Sequence, residues 1–133
     1  MKLFSKYEEL NKEYNDYIVL IKSGIFYITF SNDALIINSI TNYLIKNNKL
    51  GFPISSIEKV KEKLNECHIN YIIVDEKNTK FNFEDNKYKD YIKIINKNEY
   101  KNKMKKILFD RIEYLINEDD ENYNKIRNFI DEL

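Results

Sequence analysis

The chain has one cysteine (Cys67), one proline (Pro53), two glycines and no tryptophan among its 133 residues. A lone cysteine excludes an internal disulfide, and together with the single His68 it falls short of the three or four ligands that a zinc site takes. Scarce Gly and Pro argue against a linker-rich or disordered polypeptide. Net charge is missing too, because 22 basic side chains cancel 22 acidic ones. Any nucleic-acid binding must therefore come from a local patch. The longest apolar stretch, Tyr17 to Ile21, is cut off by Lys22, far short of the roughly 20 residues that span a bilayer. The opening MKLFSKYEEL carries no apolar signal-peptide core. The expectation is a cytoplasmic protein with no membrane segment.

What is present suits a single folded domain. Hydrophobic residues make up 43% of the chain and aromatics 14%, with 11 Tyr and 8 Phe, enough apolar surface for one core at this length. Lys, Asn, Ile and Tyr are abundant, and all four have AT-rich codons, so the number of Lys and Asn carries little weight as a functional signal.

Leu3, Phe4, Tyr7, Leu10 and Tyr14 recur at helical spacing and predict an amphipathic first helix of about three turns. Tyr17 to Phe30 is rich in β-branched and aromatic residues, with Ser23-Gly24 at its middle. It reads as one long strand, or as two strands meeting at a bend or bulge at Gly24. Ser31, Asn32 and Asp33 are N-cap candidates for a second helix carrying Leu35, Ile36, Ile40, Tyr43 and Leu44. Gly51-Phe52-Pro53 reads as a short turn. Ser55-Ser56-Ile57-Glu58 has the spacing of a capping box opening a third helix through Val60, Leu64 and Cys67. Ile69 to Val74 is a nearly continuous apolar run, as in an interior strand covered on both faces. Lys77 to Lys89 reads as a loop or weak edge strand with Phe81 and Phe83 at period two, and Tyr91 to Ile95 as a further strand. From Glu99 the pattern turns helical through Met104, Ile107, Leu108, Ile112, Leu115 and Ile116. Asp119 and Asp120 then offer caps for a last helix bearing Tyr123, Ile126, Phe129, Ile130 and Leu133. The expected fold class is α/β, of the α+β type: a mixed sheet flanked by helices over residues 1–98. A C-terminal helical hairpin over residues 99–133 is expected to pack as part of the same domain.

One constellation is more specific: Tyr7, then Gly24-Ile25-Phe26-Tyr27, Phe30 and Asp33-Ala34, and later Gly51-Phe52-Pro53 leading into the third helix. It resembles the N-terminal mismatch-recognition domain of the MutS family of DNA mismatch repair proteins. In that family a Tyr-bearing helix precedes a strand with a Gly-Asp-Phe-Tyr-Glu motif, then Phe and Asp-Ala, and a Gly-x-Pro turn enters the next helix. The match runs without a gap from Tyr7 to Ala34 and again from Gly51 to Glu76. With Ile92 to Ile95 set against the family's Val-rich strand, it covers about the first 95 residues. The resemblance implies that fold, and it implies that Phe26 stands where the family's motif Phe wedges beside a mispaired or unpaired base. Stacking on an aromatic contributes about 1–3 kcal/mol per base, and a wedge kinks a duplex most cheaply where stacking is already weak. Ile28 replaces the motif Glu and cannot make its base-directed hydrogen bond; Ile25 replaces the motif Asp. The chain has no phosphate-binding G-x-x-x-x-G-K-[ST] loop and no room for the family's lever, clamp and ATPase regions. The expectation is a stand-alone or partner-borne module, or a fragment of something larger.

Bland readings compete at each position. Tyr27 and Phe30 suit a core, since alternation along a strand cannot expose Phe26 and Tyr27 on one face. Gly24 suits a backbone requirement and Asp33 a helix cap. The acidic run Glu118 to Glu121 suits capping and the helix dipole. Lys101, Lys103, Lys105 and Lys106 suit a solvated helix face. No acid, base, nucleophile or metal constellation stands out, so a non-catalytic protein without cofactor or small-molecule substrate is expected. Two functions remain open. One is a DNA-binding module acting on double-stranded or structured DNA through Phe26, Tyr27, Ile28, Lys22 and Lys46. The other is a protein-interaction or homodimerisation module in which Phe26 and Ile28 form an apolar contact and Glu99 to Leu133 mediates dimerisation.

Overall fold

The computed structural model describes residues 2–133. The order is α1 (Lys2–Glu13), β1 (Ile18–Ser23), β2 (Phe26–Phe30), α2 (Ser31–Ile40), β3 (Lys49–Pro53), a 3-10 turn (Ile54–Ser56), α3 (Ile57–Glu66), β4 (Tyr71–Val74), β5 (Thr79–Phe81), α4 (Tyr88–Glu118) and α5 (Asp120–Asp131). The chain divides into two compact units, Met1–Ile95 and Asn96–Leu133, with the boundary inside α4.

The first unit is built on a five-stranded mixed sheet of order β3-β2-β1-β4-β5. β1 and β2 form a hairpin in which Ser23 faces Phe26 and Ile21 faces Ile28. The two-residue loop Gly24-Ile25 takes positive φ at Gly24, 61°, as a II′-type hairpin turn requires at its first position. An added Cβ at Gly24 would meet nothing within 4 Å. The glycine answers a backbone demand, not crowding. β1 pairs in parallel with β4, and the other neighbours are antiparallel.

Period-two alternation sends side chains to two cores. Ile18 and Leu20 of β1, Tyr27 of β2, Leu50 and Phe52 of β3, and Tyr71 and Ile73 of β4 join one face. Ala34, Ile36 and Ile37 of α2 and Val60 and Leu64 of α3 cover it. Val19, Ile21, Ile28, Phe30, Ile72 and Val74 turn to the other face, beneath Tyr7, Leu3, Phe4 and Leu10 of α1. β4 is buried at every position, as its uninterrupted apolar run anticipates.

Three local readings are corrected. Tyr91 to Ile95 is helical, within α4, so the sheet ends at β5. Tyr88, Tyr91, Ile92 and Ile95 share one helical face and pack on the first core, while Ile94 is 54% exposed. A short apolar run does not distinguish the two periods until Tyr88 is included. Gly51-Phe52-Pro53 is no turn but part of edge strand β3, where Gly and Pro are tolerated because one side of the backbone has no ladder partner. The turn lies just before it, at Asn47-Asn48, where both residues have positive φ and Lys46 and Lys49 exchange two backbone hydrogen bonds. Ser55 does not cap α3, because the 3-10 turn intervenes and Ser56 holds the N-cap position without a side-chain bond.

Asp33 is the largest departure from a local reading. Phe30 occupies the N-cap position of α2, with no side-chain cap, and Asp33 is fully buried. Its carboxylate accepts hydrogen bonds from the Tyr7 hydroxyl at 2.7 Å, the Tyr88 hydroxyl at 2.5 Å and the Val19 backbone N–H at 3.1 Å. Tyr7 belongs to one core and Tyr88 to the other. One carboxylate thus joins both layers and ties α1, β1 and the start of α4 to α2. Burial raises its pKa to about 6 even though all three hydrogen bonds pull it down.

The second unit is a helical pair, α4 from Asn96 onward and α5. Asp119 caps α5, its side chain accepting from the Glu121 backbone N–H at 3.0 Å, as expected for an Asp at that position. The Asn122 side chain donates to the Leu115 carbonyl at 2.8 Å and pins the connection.

Candidate nucleic-acid interface

The tip of the β1–β2 hairpin projects two apolar side chains into solvent. Ile25 is 69% exposed and Phe26 42%. Phe26 lies opposite Pro53 across the β2–β3 ladder, and the Ile54 backbone N–H donates to the Ile25 carbonyl at 3.0 Å. The adjoining Ile54 is itself partly exposed. The 3-10 turn after β3 therefore braces the tip, and Phe26 has a rigid base.

Strand parity sorts the five residues that the sequence singles out. Phe26 shares its face with Ile28 and Phe30. Ile28 is buried beneath the α1 layer. Tyr27 and Lys22 face each other on the opposite side of the sheet. There the Tyr27 hydroxyl donates to Asp75 at 3.0 Å, and Lys22 pairs with Glu76 at 2.8 Å. Burial, then the Asp75 hydrogen bond, then the charges of Asp75, Glu76 and Glu58 push the Tyr27 hydroxyl up to about 12. That side of the tip carries Asp75 and Glu76, and Lys22 is already partnered there. Lys46 lies elsewhere, at the outer edge of the sheet beside the Asn47-Asn48 turn.

On that outer edge β3 turns Lys49, Gly51 and Pro53 to the face that carries Phe30, Ile28 and Phe26, each opposite its partner. Gly51 keeps the strip low: a Cβ there would come within 3.6 Å of the Ile28 side chain. Lys46, Lys49, Gly51, Phe30 and exposed Leu44 line a shallow cleft beyond it. Among the described residues neither Lys46 nor Lys49 forms an ion pair. Lys49 and Pro53 are four positions apart along β3, about 13 Å at 3.3 Å per residue, or about four steps of a duplex strand at 3.4 Å each. The strip thus offers an apolar projection at one end and two unpartnered ammonium groups at the other. Of the five residues singled out, Phe26 and Lys46 lie along it, Ile28 forms its floor, and Tyr27 and Lys22 are outside it. Lys49 is the residue that the sequence reading misses; its signal is Asn47-Asn48, whose two turn-forming residues set Lys46 and Lys49 across a hairpin.

His68, at positive φ just after α3, holds Asp85 through Nδ1 at 2.8 Å. No group of three or more His, Cys, Asp or Glu able to hold a metal occurs among the described residues, and no described helix is long and apolar enough to cross a membrane.

The chain matches the family model for MutS domain I over residues 1–108. That is most of its length, and the chain belongs to this family. The match runs past Ile95 into the exposed part of α4. A search of curated proteins finds no match.

Proposed function

We propose that this protein is a non-catalytic DNA-binding module that sets the hairpin tip, with Phe26 as wedge, against a weakly stacked step of a duplex, while Lys46 and Lys49 meet the phosphates alongside. The observation that carries the reading is parity: Phe26 is exposed on the sheet face that also bears the two unpartnered lysines, and Asp75 and Glu76 lie on the other face. Family membership supports a DNA ligand. With Ile28 walled in beneath α1, discrimination would come from how cheaply a step unstacks. No carboxylate reads the base.

The test is fluorescence anisotropy with a duplex carrying one unpaired base, its perfect match and an RNA of similar shape, at low and moderate salt, with Phe26→Ala in parallel. Tighter binding to the unpaired base, with the preference reduced roughly 5- to 150-fold in Phe26→Ala, is the expected outcome, the range following from about 1–3 kcal/mol of stacking. Exposed Ile25 and Ile54 beside Phe26 favour a second reading, a protein partner at the same tip. Absence of binding to every nucleic acid at low salt would select it.

A further inference from the structure

The helical pair Asn96–Leu133 has an apolar face and no core. None of its described residues is buried. Ile112 and Ile126 are half-buried, whereas Leu108 is 56% exposed, Phe129 64% and Leu133 90%. Two helices meet along a single seam, so each must leave the remainder of its apolar stripe uncovered; bundles close only when further helices complete the interior.

We infer that a second copy of this chain covers that face, the two hairpins forming an antiparallel four-helix bundle about a two-fold axis passing near Ile112. Charge supplies the argument for a second copy. On α4, positions 105 and 112 fall on one heptad line, as do 101, 108 and 115. Toward the N-terminus the apolar stripe becomes cationic at Lys105 and Lys101; toward the connection to α5 it ends in Glu118, Asp119, Asp120 and Glu121. Position 105 lies seven residues to one side of Ile112, about 10 Å along the axis, and Glu118, where the acidic connection begins, lies six residues to the other, about 9 Å along it. A two-fold axis at Ile112 therefore lays the acidic connection of one copy over the lysines of the other, and does so twice. An isologous contact requires this self-complementarity. A parallel arrangement would oppose like charges.

The full chain is studied by sedimentation velocity over about 1–100 µM. A concentration-dependent dimer is expected. Phe129→Glu, at an exposed position, should abolish it without changing helix content by circular dichroism. Two charge-reversed chains make the test specific. Lys101→Glu/Lys105→Glu, and separately Glu118→Lys/Glu121→Lys, each place like charges across the two-fold axis. Each should weaken self-association by about tenfold or more, because several attractive rim contacts become repulsive together. Mixed in equal amounts, the two restore both attractive contacts, and a heterodimer should form as tightly as the wild-type dimer. A wild-type chain that stays monomeric at 100 µM would overturn the inference. So would a dimer indifferent to Phe129→Glu, or mixed variants that fail to associate.

Discussion

Asp33 makes stability at neutral pH lower than at mildly acidic pH, against the usual behaviour of paired carboxylates. In the unfolded chain its carboxyl ionises through about 3.8, whereas in the folded protein burial holds the proton up to about 6. Between these values the native state binds more protons than the unfolded one, so stability falls as pH rises through the window and levels off above it. A difference of about two pKa units at 1.36 kcal/mol each gives on the order of 3 kcal/mol. The ionised group stays inside because Tyr7, Tyr88 and Val19 all donate to it. The measurement is urea unfolding at several pH values from 4 to 7.5, for the wild type and Asp33→Asn. The amide keeps an acceptor oxygen but does not titrate. Subtracting the two curves removes Asp75, Glu76 and Asp85, whose lowered pKa values act in the opposite direction and weaken the fold as pH drops. The wild type should lose stability relative to Asp33→Asn between pH 4 and 6, then run parallel to it. A difference that is flat, or that rises with pH, would refute the reasoning. Asp33→Ala, which strands three buried donors at about 1–3 kcal/mol each, should be the most damaging single change in the first unit.

Two further predictions concern the interface. Gly24→Ala should cost about 1–2 kcal/mol through its positive φ alone, because no atom obstructs the new methyl group; the urea midpoint should fall with the slope unchanged. Lys46→Glu/Lys49→Glu should weaken DNA binding uniformly across sequences and reduce the salt dependence of log Kd by about two, one for each phosphate no longer neutralised. An unchanged salt slope would place those lysines away from the backbone.

Local rules suffice wherever the deciding neighbour is close in sequence. The break between β1 and β2 is legible from Gly24, the cap of α5 from Asp119, and the buried strand from Tyr71–Val74, because each depends on local backbone demands, a first helical turn or a continuous apolar run; that the break is a hairpin turn and not a bend or bulge is not. Asp33 is not legible. Its position at the start of a helix satisfies the rule for a cap, and the partners that override that rule lie 26 and 55 residues away. Tyr91–Ile95 fails for a different reason: five residues fit both periods, and only Tyr88 and the core beneath it select the helix.

The interface itself shows how much depends on register. Lys22 and Phe26 are four residues apart, and composition alone groups them into one basic and aromatic patch. A two-residue turn at Gly24-Ile25 instead sets Ser23 against Phe26 and Lys22 against Tyr27, which sends Lys22 to the opposite face, into the acid of Asp75 and Glu76. The same parity, carried across to β3, puts Lys49 on the Phe26 side. A one-residue slip at the turn would exchange the two faces and bring the acidic pair beside Phe26. The conformation of Gly24 thus fixes which charges Phe26 shares its face with.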